Sequence, residues 1–327
     1  MIDAAVVIER WAMKDVFATS RNAITEIPVL LLTLTDPAGR RGRAEAAGVD
    51  YQGETPQSMA SEIAAVAGSL HDGITRAELG RLLPPGGARN ALDCALWDLE
   101  AKRSGVPAWR SAGLEALAPV TTCLTIGLGD EADTRRKARE AGGYEMLKLK
   151  LDAERHVDLV RIVREEQPRA RLVVDANQAW SRSLLERLLP QLAALGVELI
   201  EQPVPRREDT TLDGLVSSLP LAADESCLDR ASLPGLLGRY RYINIKLDKC
   251  GGLTEALALA AEAIRLGFGL MVGNMCGTSL AMAPAFLIAQ SCRYVDLDGP
   301  LLQREDRVPA IVYRRGLMSV PEAALWG

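Results

Sequence analysis

Six short aliphatic runs in the later part of the chain each close on ionisable side chains. Lys148-Leu149-Lys150 end the run 145–151, Asp175 ends 171–175, Glu201 ends 197–201, Asp224 with Glu225 ends 220–224, Lys246 ends 242–247, and Asp296-Leu297-Asp298 end 294–298. One charge at the end of a strand is ordinarily just solvated, but so many at one rim must neutralise one another or bind an ion. Asp175, Glu201 and Asp224 offer hard oxygen ligands only, which favours Mg²⁺; zinc would call for His or Cys. The chain holds only two histidines, His71 and His156, so acid–base chemistry falls to carboxylates, lysines, tyrosines or thiols. Lysines on either side of a metal-bound substrate can remove a proton from one face and return one to the other. A Schiff-base lysine is the rival chemistry, and it does not need three carboxylates.

These residues need a frame that brings strand ends together. The runs 121–126, 145–151, 171–175, 197–201, 220–224, 242–247, 269–273 and 294–298 are separated by stretches of helical apolar spacing. Eight such units close most economically into a parallel (β/α) barrel, with the active site at the C-terminal strand ends. A doubly wound open sheet is disfavoured because no G-x-G-x-x-G or P-loop follows any run. Lys148 and Lys150, two apart on a strand, share a face, and Lys246, four runs further on, falls on the opposite side of the ring. Crowding by Lys148 is expected to lower the pKa of Lys150 and make a neutral amine base accessible.

Residues 1–115 read as a separate α+β domain, with strand-like runs at 2–10 and 27–35, a turn at Asp36-Pro37-Ala38-Gly39, and helical stretches at 56–69, 75–82 and 87–103. Loops are expected at 14–26 and 48–55, the barrel at 116–300, and a tail, 301–327, packing back on the first domain. Of 327 residues, 48% are hydrophobic and 25% charged, enough for a full core. A net charge of -5 and 4% aromatics argue against nucleic-acid binding. No apolar run reaches the ~18 residues of a membrane span and no targeting pattern opens the chain, so a cytoplasmic protein without membrane partners is expected. The six cysteines lack C-x-x-C spacing and read as reduced thiols. The assembly state is left open, a homo-oligomer included.

The chain resembles the enolase superfamily, and within it the muconate lactonizing subgroup. The resemblance spans nearly the whole chain through ALWDLEAKRSGVP (95–107), KLK (148–150), VDANQAW (174–180), EQP (201–203), ADES (223–226), INIKLDKCGG (243–252) and VDLDGP (295–300). It implies a modified (β/α)7β TIM barrel with an α+β N-terminal capping domain, Lys150 and Lys246 as acid–base lysines, and Asp175, Glu201 and Asp224 as Mg²⁺ ligands. Lys249 also fits the motif and reads as structural. The D-x-D of Asp296 and Asp298 is similar to that of dipeptide epimerases, where it holds the substrate's ammonium group; a dianionic pocket suits a cation. Arg21 sits where epimerases of L-Ala-D/L-Glu carry an arginine for the glutamyl carboxylate, and its planar fork fits that role. Lys148 is expected to help hold the C-terminal carboxylate, and Cys276 to contact substrate. Cys123 stands where relatives often have threonine, and Gly277 where many lactonizing relatives have glutamate. The resemblance thus implies a Mg²⁺-dependent dipeptide epimerase of murein peptide recycling, with cycloisomerisation or o-succinylbenzoate synthesis as the alternative.

Overall fold

Alternating apolar and polar side chains build a three-stranded antiparallel sheet in which β1 (Asp3–Ala18) pairs with β2 (Ala23–Thr35) and β2 with β3 (Arg41–Ala46). A computed structural model of the chain describes residues 2–19, 23–71 and 73–327. One face of β2 buries Leu30, Leu32 and Leu34 against the cap helices; the other turns Ile27 and Val29 toward Met13 and the mouth of the barrel. The loop expected at 14–26 is largely the far end of this hairpin, where Phe17 pairs with Ile24 after a register shift beyond Ala12. Exposed Lys14 and Asp15 hide its strand character.

Strand β3 also escaped the sequence reading, because its buried face is made of Gly42, Ala44 and Ala46. After the helices α1 (Pro56–Ala65), α2 (Ala67–His71) and α3 (Arg76–Leu82) comes α4 (Gly87–Ser104), which packs directly on β3. A Cβ at Gly42 would stand 2.2 Å from the Ala95 carbonyl oxygen. Gly42→Ala is therefore expected to cost about 1–3 kcal/mol by overpacking, read as a lower urea midpoint at unchanged slope. An unchanged midpoint would mean that the contact yields without cost.

Beyond α5 (Ala108–Ser111) and a two-residue strand, β4 (Val120–Thr121), runs a curled parallel sheet. In spatial order it comprises β5 (Leu124–Ile126), β6 (Met146–Lys150), β7 (Arg171–Asp175), β8 (Val197–Glu201), β9 (Leu221–Ala223), β10 (Tyr242–Ile245), β11 (Gly269–Val272) and β12 (Tyr294–Val295). Between and after its strands come α6 (Glu131–Glu140), α7 (His156–Glu166), α8 (Arg182–Ala194), α9 (Leu233–Leu236), α10 (Leu247–Cys250), α11 (Leu253–Arg265), α12 (Ser279–Ala289) and α13 (Gly299–Leu302). The ring closes where the Cys123 N–H donates to the Val295 carbonyl at 2.9 Å and the Leu297 N–H to Thr122 Oγ1 at 2.8 Å. The run at 121–126 is thus two elements. Thr121 leaves the barrel to pair with Leu317 in a small sheet of β4, β13 (Tyr313–Arg314) and β14 (Leu317–Met318).

The barrel interior is layered by the two-residue period of its strands. Cys123, Met146, Val173, Leu199, Ala222, Met271 and Tyr294 form an apolar plug. Two residues further along their strands stand Thr125, Lys148, Asp175, Glu201, Asp224, Gly273 and Asp296. The ionic rim is therefore the next layer above the plug. Residues after 301 reach the cap: Gln303 bridges Met13, Arg307 pairs with Glu9 and Glu45, and the Trp326 indole N–H donates to the Cys94 carbonyl at 3.0 Å. No helix among the described residues is long and apolar enough to cross a membrane.

Candidate active site

Strand register fixes the level of the ionic groups, because Lys150 pairs with Asp175 and Asp175 with Glu201. Asp175, Glu201 and Asp224 are buried, from three adjacent strands. Lys150 Nζ lies 2.6 Å from Asp175 Oδ2 and Lys246 Nζ 2.7 Å from Asp224 Oδ2. Burial works against every one of these charges, and the neighbours decide the outcome. Lys150 and Lys148 hold Asp175 well below the usual carboxylate range, and Lys246 and Lys249 do the same for Asp224. Glu201 is pushed up to about 7 by burial and by Asp175, against the pull of Lys148. Lys246 is held above the ordinary lysine range by Asp224 and Glu201 despite its burial, and so stands as an ammonium.

A cavity of 310 Å³ lies between the barrel mouth and the cap. Lys150 and Lys246 reach it from opposite sides of the ring, with Asp296 and Asp298 between them and Phe17, Ile24 and Ile27 of the hairpin above. Asp298 precedes α13 without capping it; its Oδ2 instead accepts the Thr125 N–H at 2.6 Å. Burial and the adjacent Asp296 push Asp298 up to about 7. Cys276 lines the cavity at φ 60° with its N–H on Asn274 Oδ1, and burial pushes its thiol up to about 12, so it is a contact surface and not a thiolate. Arg21 lies outside the described residues.

Lys148 sits within the ionic rim. It does not line the cavity, and its ammonium stands 2.7 Å from Asp296 Oδ2, 2.6 Å from Glu201 Oε2 and 3.1 Å from Asp175 Oδ2. Its hydrogen bond goes to Asp296 Oδ2, and Glu201 and Asp175 stand at ion-pair distance. Lys148 is the internal counter-ion of the rim, and its charge is compensated there; the premise of an unneutralised charge crowding Lys150 is replaced by a shared oxygen, Asp175 Oδ2.

Several supporting residues carried no separate signal in the sequence. Asn244 Nδ2 donates to Glu201 Oε1 at 2.8 Å, and the Asn177 N–H to Asp175 Oδ1 at 2.9 Å, with Asn177 at φ 44°. Period-two counting back from Lys246 puts Asn244 on the inner face, which could have found it. Gly277 has a steric reason: a Cβ there would stand 2.9 Å from both Ala281 Cβ and Glu45 Oε1.

The rim fits a hard divalent cation. Its three carboxylates present oxygen only, burial and the neighbouring carboxylates together raise Glu201, and Glu201 Oε2 takes no hydrogen bond of good geometry although Lys148 is near. Cys123, Asp296 and Asp298 also bring ligand atoms within 4.8 Å of one another. Hydrogen bonding accounts for that grouping, since the Cys123 thiol donates to Asp296 Oδ1 at 3.2 Å and Asp298 takes the Thr125 N–H.

Cap, curled parallel sheet and ionic rim together define an enolase-type architecture. Residues 1–113 match the mandelate racemase / muconate lactonizing enzyme N-terminal domain and residues 130–324 the enolase C-terminal domain-like family, so the chain belongs to the mandelate racemase / muconate lactonizing branch of the enolase superfamily. It is 39% identical over 310 residues to the L-Ala-D/L-Glu epimerase of Escherichia coli (strain K12), covering 94% of this chain and 96% of the relative. It is 45% identical over 254 residues to an N-acetyl-D-glutamate racemase of a Pseudoalteromonas species, covering 76% and 79%. Among solved structures, an enolase family member from Agrobacterium tumefaciens with homology to dipeptide epimerases, with bound sodium and L-Ala-L-Glu, superposes with a TM-score of 0.97 at 42% identity over 100% of both chains. A dipeptide epimerase from Methylococcus capsulatus complexed with Mg and L-Arg-D-Lys gives 0.88 at 31% identity, over 98% and 97%.

Proposed function

We propose that the protein is a Mg²⁺-dependent epimerase of dipeptides, acting at the α-carbon of the C-terminal residue through an enediolate, with L-Ala-D/L-Glu as the substrate pair. The observation that carries this reading is the presence of two lysines, Lys150 and Lys246, on opposite walls of one cavity above a three-carboxylate rim. Asp175, Glu201 and Asp224 would hold Mg²⁺, which when bound supplies charge stabilisation to the substrate carboxylate as the α-proton leaves. One lysine takes that proton and the other, as an ammonium, returns one to the opposite face, inverting the centre. Asp296 and Asp298 would receive the N-terminal ammonium, and Arg21 the glutamyl carboxylate. The hairpin residues Phe17, Ile24 and Ile27 exclude water above the reacting carbon. The names of the relatives above support both the dipeptide class and the glutamyl residue.

The likeness to an N-acetyl-D-glutamate racemase supports a second reading, in which the amine end is acylated. The two readings differ at Asp298. An ammonium needs the carboxylate form, and a group raised to about 7 gains its proton as the pH falls through that value. The KM of L-Ala-L-Glu is therefore expected to rise below pH ~7 while that of N-acetyl-L-glutamate stays level. Removing one partner of a desolvated charge pair costs roughly 2–5 kcal/mol, so Asp298→Asn should lower kcat/KM about 30-fold or more for every free dipeptide. Arg21→Ala should penalise Ala-Glu and spare Ala-Leu. The experiment is deuterium uptake in D₂O with Mg²⁺ on these three substrates, read by mass. Uptake into N-acetylglutamate alone, or an undiminished Asp298→Asn enzyme on Ala-Glu, sinks the dipeptide assignment.

A further inference from the structure

The turn of chain after Lys246 carries a third lysine that the chemistry above does not use. Helix α10 is a single turn closed at Gly251, whose φ of 79° suits glycine. Its buried Leu247 and Cys250 pull the turn inward, and this brings Lys249 back beneath the strand ends. Lys249 is buried, and its ammonium donates to Asp224 Oδ1 at 2.6 Å, to the Asp224 carbonyl at 2.5 Å and to the Asn244 carbonyl at 2.9 Å. All three donors are used, and they tie the end of β9 to β10. The two oxygens of Asp224 are thus divided: Oδ1 is held from below by Lys249, which does not reach the cavity, and Oδ2 faces Lys246, which does. The same Asn244 grips Glu201 through its side-chain amide.

We propose that Lys249 is a positioning residue that fixes the orientation of the Asp224 carboxylate for metal binding, an inference that rests on the Mg²⁺ reading above. The alternative is that Lys249 merely balances charge. The two roles predict opposite signs. Removing a cation beside a metal ligand strengthens divalent binding on electrostatics alone, whereas releasing the carboxylate from its anchor weakens it. Lys246, on the other oxygen of the same carboxylate, carries the same charge without the backbone ties and is the internal control.

The test is calorimetric titration of Mg²⁺ into the full-length protein after chelator treatment and dialysis. Parent protein should bind Mg²⁺ and Asp224→Asn should lose it. Lys249→Met should bind about 10- to 100-fold more weakly, the range for groups that orient metal ligands, while Lys246→Met should bind as tightly as the parent or more so. If Lys249→Met does not fold, Lys249→Leu, which likewise removes all three donors, carries the same prediction of weaker binding. Parent-like or tighter binding by the folded Lys249 variant overturns the positioning role while leaving the metal reading intact. A parent that gives no Mg²⁺ binding removes the metal reading, and this inference with it.

Discussion

Lys150→Ala and Lys246→Ala are each expected to lower epimerisation by about 10²- to 10⁴-fold, the range for loss of a positioned acid or base. Neither should unfold the protein. With Lys150 gone, Asp175 keeps Lys148 at 3.1 Å, and with Lys246 gone, Asp224 keeps Lys249 at 2.6 Å, so no buried carboxylate is left without a cation. The two losses should differ in what survives. Each lysine serves one face of the substrate carbon, so the variant that retains the base for a given epimer should still exchange that epimer's α-hydrogen with D₂O without inverting it. The measurement pairs mass gain with chiral analysis of each pure epimer. Inversion at the parent rate by either variant would refute the two-lysine scheme, and loss of exchange from both epimers in both variants would point to a shared acid–base step.

The parts of this site that could be read from the sequence are those carried by the two-residue period of strands. Once Lys148 and Lys150 are placed on a strand, their common face follows, and each rim carboxylate is simply two residues beyond an apolar plug residue such as Val173 or Leu199. What that period cannot supply is depth. Lys148 and Lys150 share a face, yet one layer of height separates a lysine surrounded by three carboxylates from one at the cavity wall. Lys249 reads as structural in the sequence, and its place at the rim is not legible there for a related reason, because a helical turn after β10 and not the strand itself returns it. In the cap, β3 was missed because Gly42, Ala44 and Ala46 are small to admit α4, so its buried face carries little hydrophobic signal. The run at 294–298 reads as a strand throughout, whereas pairing stops at Val295 and the D-x-D belongs to the passage into α13.

Asp175→Asn, Glu201→Gln and Asp224→Asn should each abolish turnover and Mg²⁺ binding, and EDTA should do the same reversibly, but the three carboxylates are not equivalent to the fold. Asp224 neutralises two buried lysines, Lys246 and Lys249, and Asp224→Asn leaves both without their nearest carboxylate. Uncompensated buried charge of this kind costs about 3–5 kcal/mol, so this variant should melt well below the parent. Glu201 is the opposite case. Burial and Asp175 raise it to about 7, so between the ordinary carboxylate range and that value the folded state binds a proton that the unfolded state has released. Stability contributed in this way is present at low pH and declines as the pH rises toward 7. Glu201→Gln lacks the titration, and in EDTA its stability relative to the parent should therefore increase from pH 5 to pH 7. Thermal melts of parent and variants across that range decide the matter. A Glu201→Gln protein that loses stability relative to the parent as the pH rises would show that Lys148 outweighs the neighbouring carboxylates, and full activity of the parent after exhaustive chelation would remove the metal from the reaction altogether.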